Sequence, residues 1–96
     1  MAEDNRFKVY RLTNHSRGEV YIGVARYLGL REAQHAGALP GGAKTIAHWN
    51  WLTDDIRRYT YSPRFNSRQR ASDFAHAMEV SAGIPQGYVV FLTPGT

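Results

Sequence analysis

Cysteine is missing from all 96 residues, which excludes disulfide staples, thiolate nucleophiles and cysteine-based zinc or iron–sulfur sites together. A cytoplasmic setting is the expectation. No run approaches the roughly 20 apolar residues that span a bilayer, and the polar start MAEDNRFK lacks the apolar core of a secretory signal. A soluble protein with no membrane role is therefore expected. His15 and His48 have no partner at zinc spacing, so histidine-based metal binding is not indicated. Gly37, Gly41 and Gly42 are not placed as a phosphate-cradling loop before a helix, which argues against a nucleotide-dependent small-molecule enzyme. No repeat, linker or low-complexity tract interrupts the chain.

Lysine is scarce as well. Of twelve basic residues ten are Arg, against eight acidic ones, for a net charge of +4 and a pI near 9.8. The planar guanidinium grips phosphate bidentately where an ammonium acts as a point charge. An arginine-weighted surplus therefore points to nucleic acid. With 43% hydrophobic and 21% charged residues, the chain has the composition of one globular domain, residues 1–96.

Phe7–Leu12 and Glu19–Val24 are β-rich runs separated by the turn residues Thr13–Gly18, a hairpin signature. Period-two alternation puts Val20, Ile22 and Val24 on one face and Glu19, Tyr21 and Gly23 on the other, while Phe7 and Val9 oppose Lys8 and Tyr10. Tyr10 and Tyr21 thus share the face away from the aliphatic residues. From Arg26 to about Gly37 the pattern turns helical, and Tyr27, Arg31 and His35, spaced four apart, fall along one side. Residues 38–42 read as a loop and 43–51 as a short helix or irregular segment, with Trp49 and Trp51 as packing anchors. A third strand is expected over 54–61, stopped by Pro63. Ser67 to about Ala82 is an amphipathic helix carrying Ala71, Phe74, Ala75 and Met78, with Glu79 at the rim of its apolar stripe. A last strand over about 87–92 closes the sheet edge.

Val9-Tyr10 in the first strand and Tyr21-Ile22-Gly23 in the second, with ten residues between the tyrosines, resemble the two motifs of the GIY-YIG nuclease domain. Arg31 and His35 follow at the family's spacing, as do Gly42-Ala43-Lys44 and a late helix with Ala75 four residues before Glu79. The resemblance spans about residues 7–79. It implies an α/β (α+β) domain with a small central antiparallel sheet of three or four strands flanked by helices. It also implies a metal-dependent endonuclease acting on DNA by a one-metal mechanism. The chain departs from the family at Lys8, where the first motif has Gly, at Val24, and over Val80–Gly83.

On this reading Glu79 holds one Mg²⁺ or Mn²⁺, and Tyr10 or Tyr21 acts as, or orients, the general base. Arg31 clamps the scissile phosphate, and His35 contacts phosphate or relays a proton. Lys44, Arg57 and Arg58 would touch flanking backbone, while Arg64, Arg68 and Arg70 read as solvated surface. A single small domain implies a dimer or a protein partner to supply specificity. The alternative, suggested by the departures, is a module that keeps the fold and binds nucleic acid or a protein partner without cutting.

Overall fold

The computed structural model describes residues 5–36, 44–77 and 83–92. In chain order these form β1 (Phe7–Asn14), β2 (Glu19–Ala25), α1 (Leu28–His35), a single 3₁₀ turn (Lys44–Ile46), β3 (Ile56–Phe65), α2 (Arg68–Ala77) and β4 (Val89–Leu92). The result is a small α+β domain built on a four-stranded sheet in the order β3-β1-β2-β4. Among the described residues no helix is long and apolar enough to cross a membrane.

The hairpin forms as its alternation dictates, with Val9 opposite Val24, Tyr10 opposite Gly23 and Leu12 opposite Tyr21. Gly18, at φ +65°, supplies the left-handed residue that closes it, a conformation L side chains resist. Asn14 and Arg17 both donate to the carboxylate of Asp54, at 2.9 and 2.7 Å. These bonds latch the hairpin turn to the loop ahead of β3. The Asn14 amide, the Asn50 backbone N–H and Arg17 together hold the Asp54 carboxyl down at a pKa of about 2.

Two expectations are corrected by the strands. The sheet is mixed rather than antiparallel, because β4 pairs parallel with β2. The reason lies in the connection: β3 and β4 sit at opposite edges, and the chain joins them through α2, a helical crossover that brings the strand back parallel. The third strand is not stopped by Pro63 but runs through it to Phe65. Tyr10 faces Thr60 while Lys8 faces Arg64, so Tyr61, Ser62 and Pro63 stand opposite Val9 alone. A bulge on an edge strand needs no ladder donor from proline. The Arg64 guanidinium donates to the carbonyls of Tyr61, Ser62 and Pro63 at 2.7, 2.9 and 3.3 Å and so satisfies the acceptors that the bulge frees.

The helices match their expected places. α1 occupies residues 28–35 of the expected 26–37. α2 starts behind Ser67, whose hydroxyl accepts from the Arg70 N–H at 3.2 Å, an N-cap. It is described as far as Ala77; the expected remainder, with Met78, lies outside the described residues. Of the 43–51 segment, Lys44–Ile46 is a 3₁₀ turn. Trp49 is buried and Trp51 half-buried, their ring centroids 6.0 Å apart, in keeping with packing anchors.

Each face of the sheet is covered. Phe7, Val9, Val20, Ile22, Val24 and Tyr61 pack with Ala71 and Ala75 of α2 into one cluster. Tyr10, Leu12, Tyr21 and Ala25 pack with Ile46 and Trp49 into the other. The side-chain period of two sorts one set of strands into two different cores.

Candidate functional site

The second face gathers the residues with chemistry. Gly23 faces Tyr10 across the hairpin, and a methyl group placed on Gly23 would lie 2.5 Å from the Tyr10 hydroxyl and 2.6 Å from the Tyr21 ring. Any side chain there would collide with both phenols. The glycine of the Tyr21-Ile22-Gly23 motif is thus the floor on which two tyrosines converge.

α1 completes the cluster by placing His35 against them. The Tyr10 hydroxyl and His35 Nε2 share a hydrogen bond of 2.7 Å. The His35 ring meets Tyr21 edge-on at 5.1 Å and Tyr10 at 6.1 Å between centroids. All three are buried, at 2, 1 and 6% exposure for Tyr10, Tyr21 and His35. Burial, with the Arg31 cation in second place, lowers the His35 pKa from 6.5 to about 4. At neutral pH His35 is an uncharged imidazole, suited to hydrogen-bond a phenol rather than to pair with phosphate as a cation.

Arg31, one turn before His35 on α1, is half-buried and donates to the Gln34 side-chain oxygen at 3.0 Å. It opens onto a cavity of about 340 Å³ that Arg26, Tyr27, Gln34 and Arg68 also line. Of the three residues expected along one side of the helix, Tyr27 and Arg31 face this cavity. His35 turns inward to the tyrosines.

The remaining expected residues are dispersed. Lys44 begins the 3₁₀ turn with an exposed side chain. Arg57 and Arg58 are exposed on edge strand β3, opposite Thr13 and Leu12. Arg57 donates to Asp55 at 2.7 Å, and this bond lowers the Asp55 pKa and raises that of Arg57. Gly42, Ala43 and Glu79 lie outside the described residues. Among the described residues no three His, Asp or Glu side chains come together as a metal-binding group.

Three residues that the sequence did not assign to the site lie in or beside it. Lys8 is buried, and its ammonium donates to the carbonyls of Arg26 at 2.7 Å and Arg6 at 3.1 Å. Lys8 therefore ties the start of β1 to the backbone that leaves β2. Arg26, read only as the start of the helical pattern, and Arg68, read as solvated surface, line the same cavity as Arg31. Arg26 directly follows β2 and Arg68 opens α2; element boundaries of this kind were the available signal.

The architecture is therefore a small mixed-sheet α+β domain with a buried Tyr–Tyr–His cluster beside an arginine-lined cavity. In comparisons with family models, curated proteins and solved structures, none matches the chain.

Proposed function

We propose that the chain is a metal-dependent endonuclease of the GIY-YIG kind that hydrolyses DNA phosphodiester bonds. The observation that carries this reading is the convergence of Tyr10, Tyr21 and His35 over Gly23, one helical turn from an arginine that faces a cavity. Two strands and a helix contribute to that convergence, and ordinary packing does not demand phenols and an imidazole there.

Phosphodiester hydrolysis needs a positioned water and a stabiliser for charge building on the phosphate oxygens. Arg31 is the stabiliser: its fork can donate two parallel hydrogen bonds to non-bridging oxygens. Tyr10 is the phenol in hydrogen-bond contact with the neutral imidazole of His35, which holds its hydroxyl in place. In this scheme Tyr10 orients the attacking water and Tyr21 walls the cluster. Glu79 is the carboxylate assigned to one Mg²⁺ or Mn²⁺, an ion that when bound neutralises charge on the phosphate. Lys44, Arg57 and Arg58 add backbone contacts, which raise affinity without reading sequence. A dimer or a protein partner would choose the target.

A second reading is favoured by the burial of Tyr10, Tyr21 and His35: a module of the same fold that binds nucleic acid or a protein partner without cutting. Here the three residues hold α1 on the hairpin and only the arginines meet the ligand. A cleavage assay separates the readings. Supercoiled, linear, branched and single-stranded DNA are incubated with the full chain in Mg²⁺ or Mn²⁺, beside EDTA and Glu79→Gln controls. The nuclease reading expects metal-dependent cutting that Glu79→Gln abolishes with the fold intact. Salt-sensitive binding with no cutting on any substrate would establish the second reading instead.

A further inference from the structure

The arginine-lined cavity holds more positive charge than one scissile phosphate requires. Its walls come from three elements: the end of β2 with Arg26 and Tyr27, α1 with Arg31 and Gln34, and the start of α2 with Arg68. Among the described residues that line it, none is acidic.

Arg26 and Arg68 are held there by one aromatic ring. The Arg26 guanidinium carbon lies 4.6 Å from the centroid of Phe7 and that of Arg68 lies 5.2 Å from it. Neither arginine forms an ion pair among the described residues. A guanidinium lying over a ring is attracted through its face, and this leaves the in-plane N–H donors directed outward. Holding the side chain on a ring also removes rotamer freedom in advance, so less is lost when an anion binds. Both arginines line the same cavity, so an anion bound there meets two cations at once. Tyr27, 39% exposed, adds a flat ring at the rim on which a base can stack.

We infer that Arg26 and Arg68, mounted on Phe7, bind the backbone phosphate of a nucleic-acid strand next to the phosphate held by Arg31. This rests on the nucleic-acid part of the function proposed above, not on cleavage. The Phe7 mount thus gives the cavity a track of two adjacent phosphates, one on Arg31 and one on the Arg26–Arg68 pair.

The test is fluorescence anisotropy of a labelled duplex DNA with the full chain in EDTA, over about 50 to 200 mM salt, where each neutralised phosphate contributes about 0.9 to the slope of log K against log salt. The double variant Arg26→Gln/Arg68→Gln should flatten that slope by about 0.9, with Arg26→Gln and Arg68→Gln each flattening it by part of that amount, and all three should weaken binding alike across DNA sequences. Arg70→Gln removes the same charge at a place outside the cavity and should leave the slope nearly unchanged. Phe7→Leu keeps all the charge and an apolar side chain, and should weaken binding several-fold by releasing both arginines. Thermal unfolding of each variant reports whether the fold is retained. Equal slopes for Arg26→Gln, Arg68→Gln and Arg70→Gln in folded proteins would overturn the inference, as would absence of DNA binding by the unmodified chain. The two proposals fail separately: a flattened slope without cutting removes the nuclease and keeps the phosphate track, whereas cutting with unchanged slopes does the reverse.

Discussion

The two faces of the sheet are made from the same strands and have opposite characters. Toward α2, the side chains of Phe7, Val9, Val20, Ile22 and Val24, with Tyr61, build a mainly apolar cluster closed by Ala71 and Ala75. Toward α1 and the 3₁₀ turn, the intervening residues present Tyr10 and Tyr21, with His35 hydrogen-bonded among them. One face consists mainly of atoms that gain by leaving water. The other buries hydroxyl and imidazole groups, which cost free energy unless each finds a partner. Concentrating the paired phenols and the imidazole on one side lets the first face, mainly apolar, stabilise the domain while the second holds an arrangement that stability alone would not select.

That contrast breaks or sharpens in four measurements. Ile22→Ala, at a position with 0% exposure, should destabilise the protein by about 2–5 kcal/mol, with about 4–8 °C of Tm lost per kcal/mol in a domain of this size. Under the proposed function, the variant below its Tm should keep the DNA binding and cleavage of the parent. A loss of cutting in the folded variant would mean that the aliphatic face also shapes the site.

Acid should act on the other face through His35. The unfolded chain takes up the histidine proton near pH 6.5, whereas the folded chain holds it off until about 4. Between these values the unfolded state binds more protons, so stability is fully present above pH 6.5 and is lost as the pH falls toward 4, by about 3 kcal/mol at most. Asp54, Asp55 and Glu19 have lowered pKa values and act further to the acid side. Urea unfolding of His35→Gln from pH 5 to 6.5 should be flatter than that of the parent. An unchanged slope would remove His35 as its source.

Gly23→Ala tests the floor beneath the tyrosines. The added methyl meets Tyr10 and Tyr21, and such overpacking costs about 1–3 kcal/mol. Cleavage should fall more than Tm does, because both phenols must move. Smallest in stability is Tyr10→Phe, which removes one hydroxyl and costs about 1 kcal/mol. Under the proposed function, its effect on DNA cleavage should be a near-complete loss in kcat. If Tyr10→Phe cut DNA normally while losing as much stability as Ile22→Ala, the second face would be a core like the first.

Much of this was legible in the order of residues. Alternation in the hairpin assigned Tyr10 and Tyr21 to one face, and the spacing of Arg31 and His35 put them on one helix. Gly23 was marked by its motif, though not the reason for it, since the 2.5 Å approach of the Tyr10 hydroxyl exists only once β1 and β2 pair. Pro63 misled because a proline read locally ends a strand, while an edge bulge with Arg64 over its carbonyls accommodates it. Arg26 and Arg68 are 42 positions apart, and no local pattern joins them; both reach Phe7 because the ends of β2 and β3 flank the start of β1.

By itself the sequence determined what depends on near neighbours: the hairpin, two amphipathic helices, the absence of thiol chemistry and the surplus of arginine. Local propensity and side-chain period act within a few residues and carry that information directly. Tertiary structure alone decided the parallel edge strand, the neutral state of His35 and the gathering of three arginines around one cavity. Each of these depends on groups far apart in the chain, through burial, crossover connection and charge at short range, and those quantities exist only after the chain has folded.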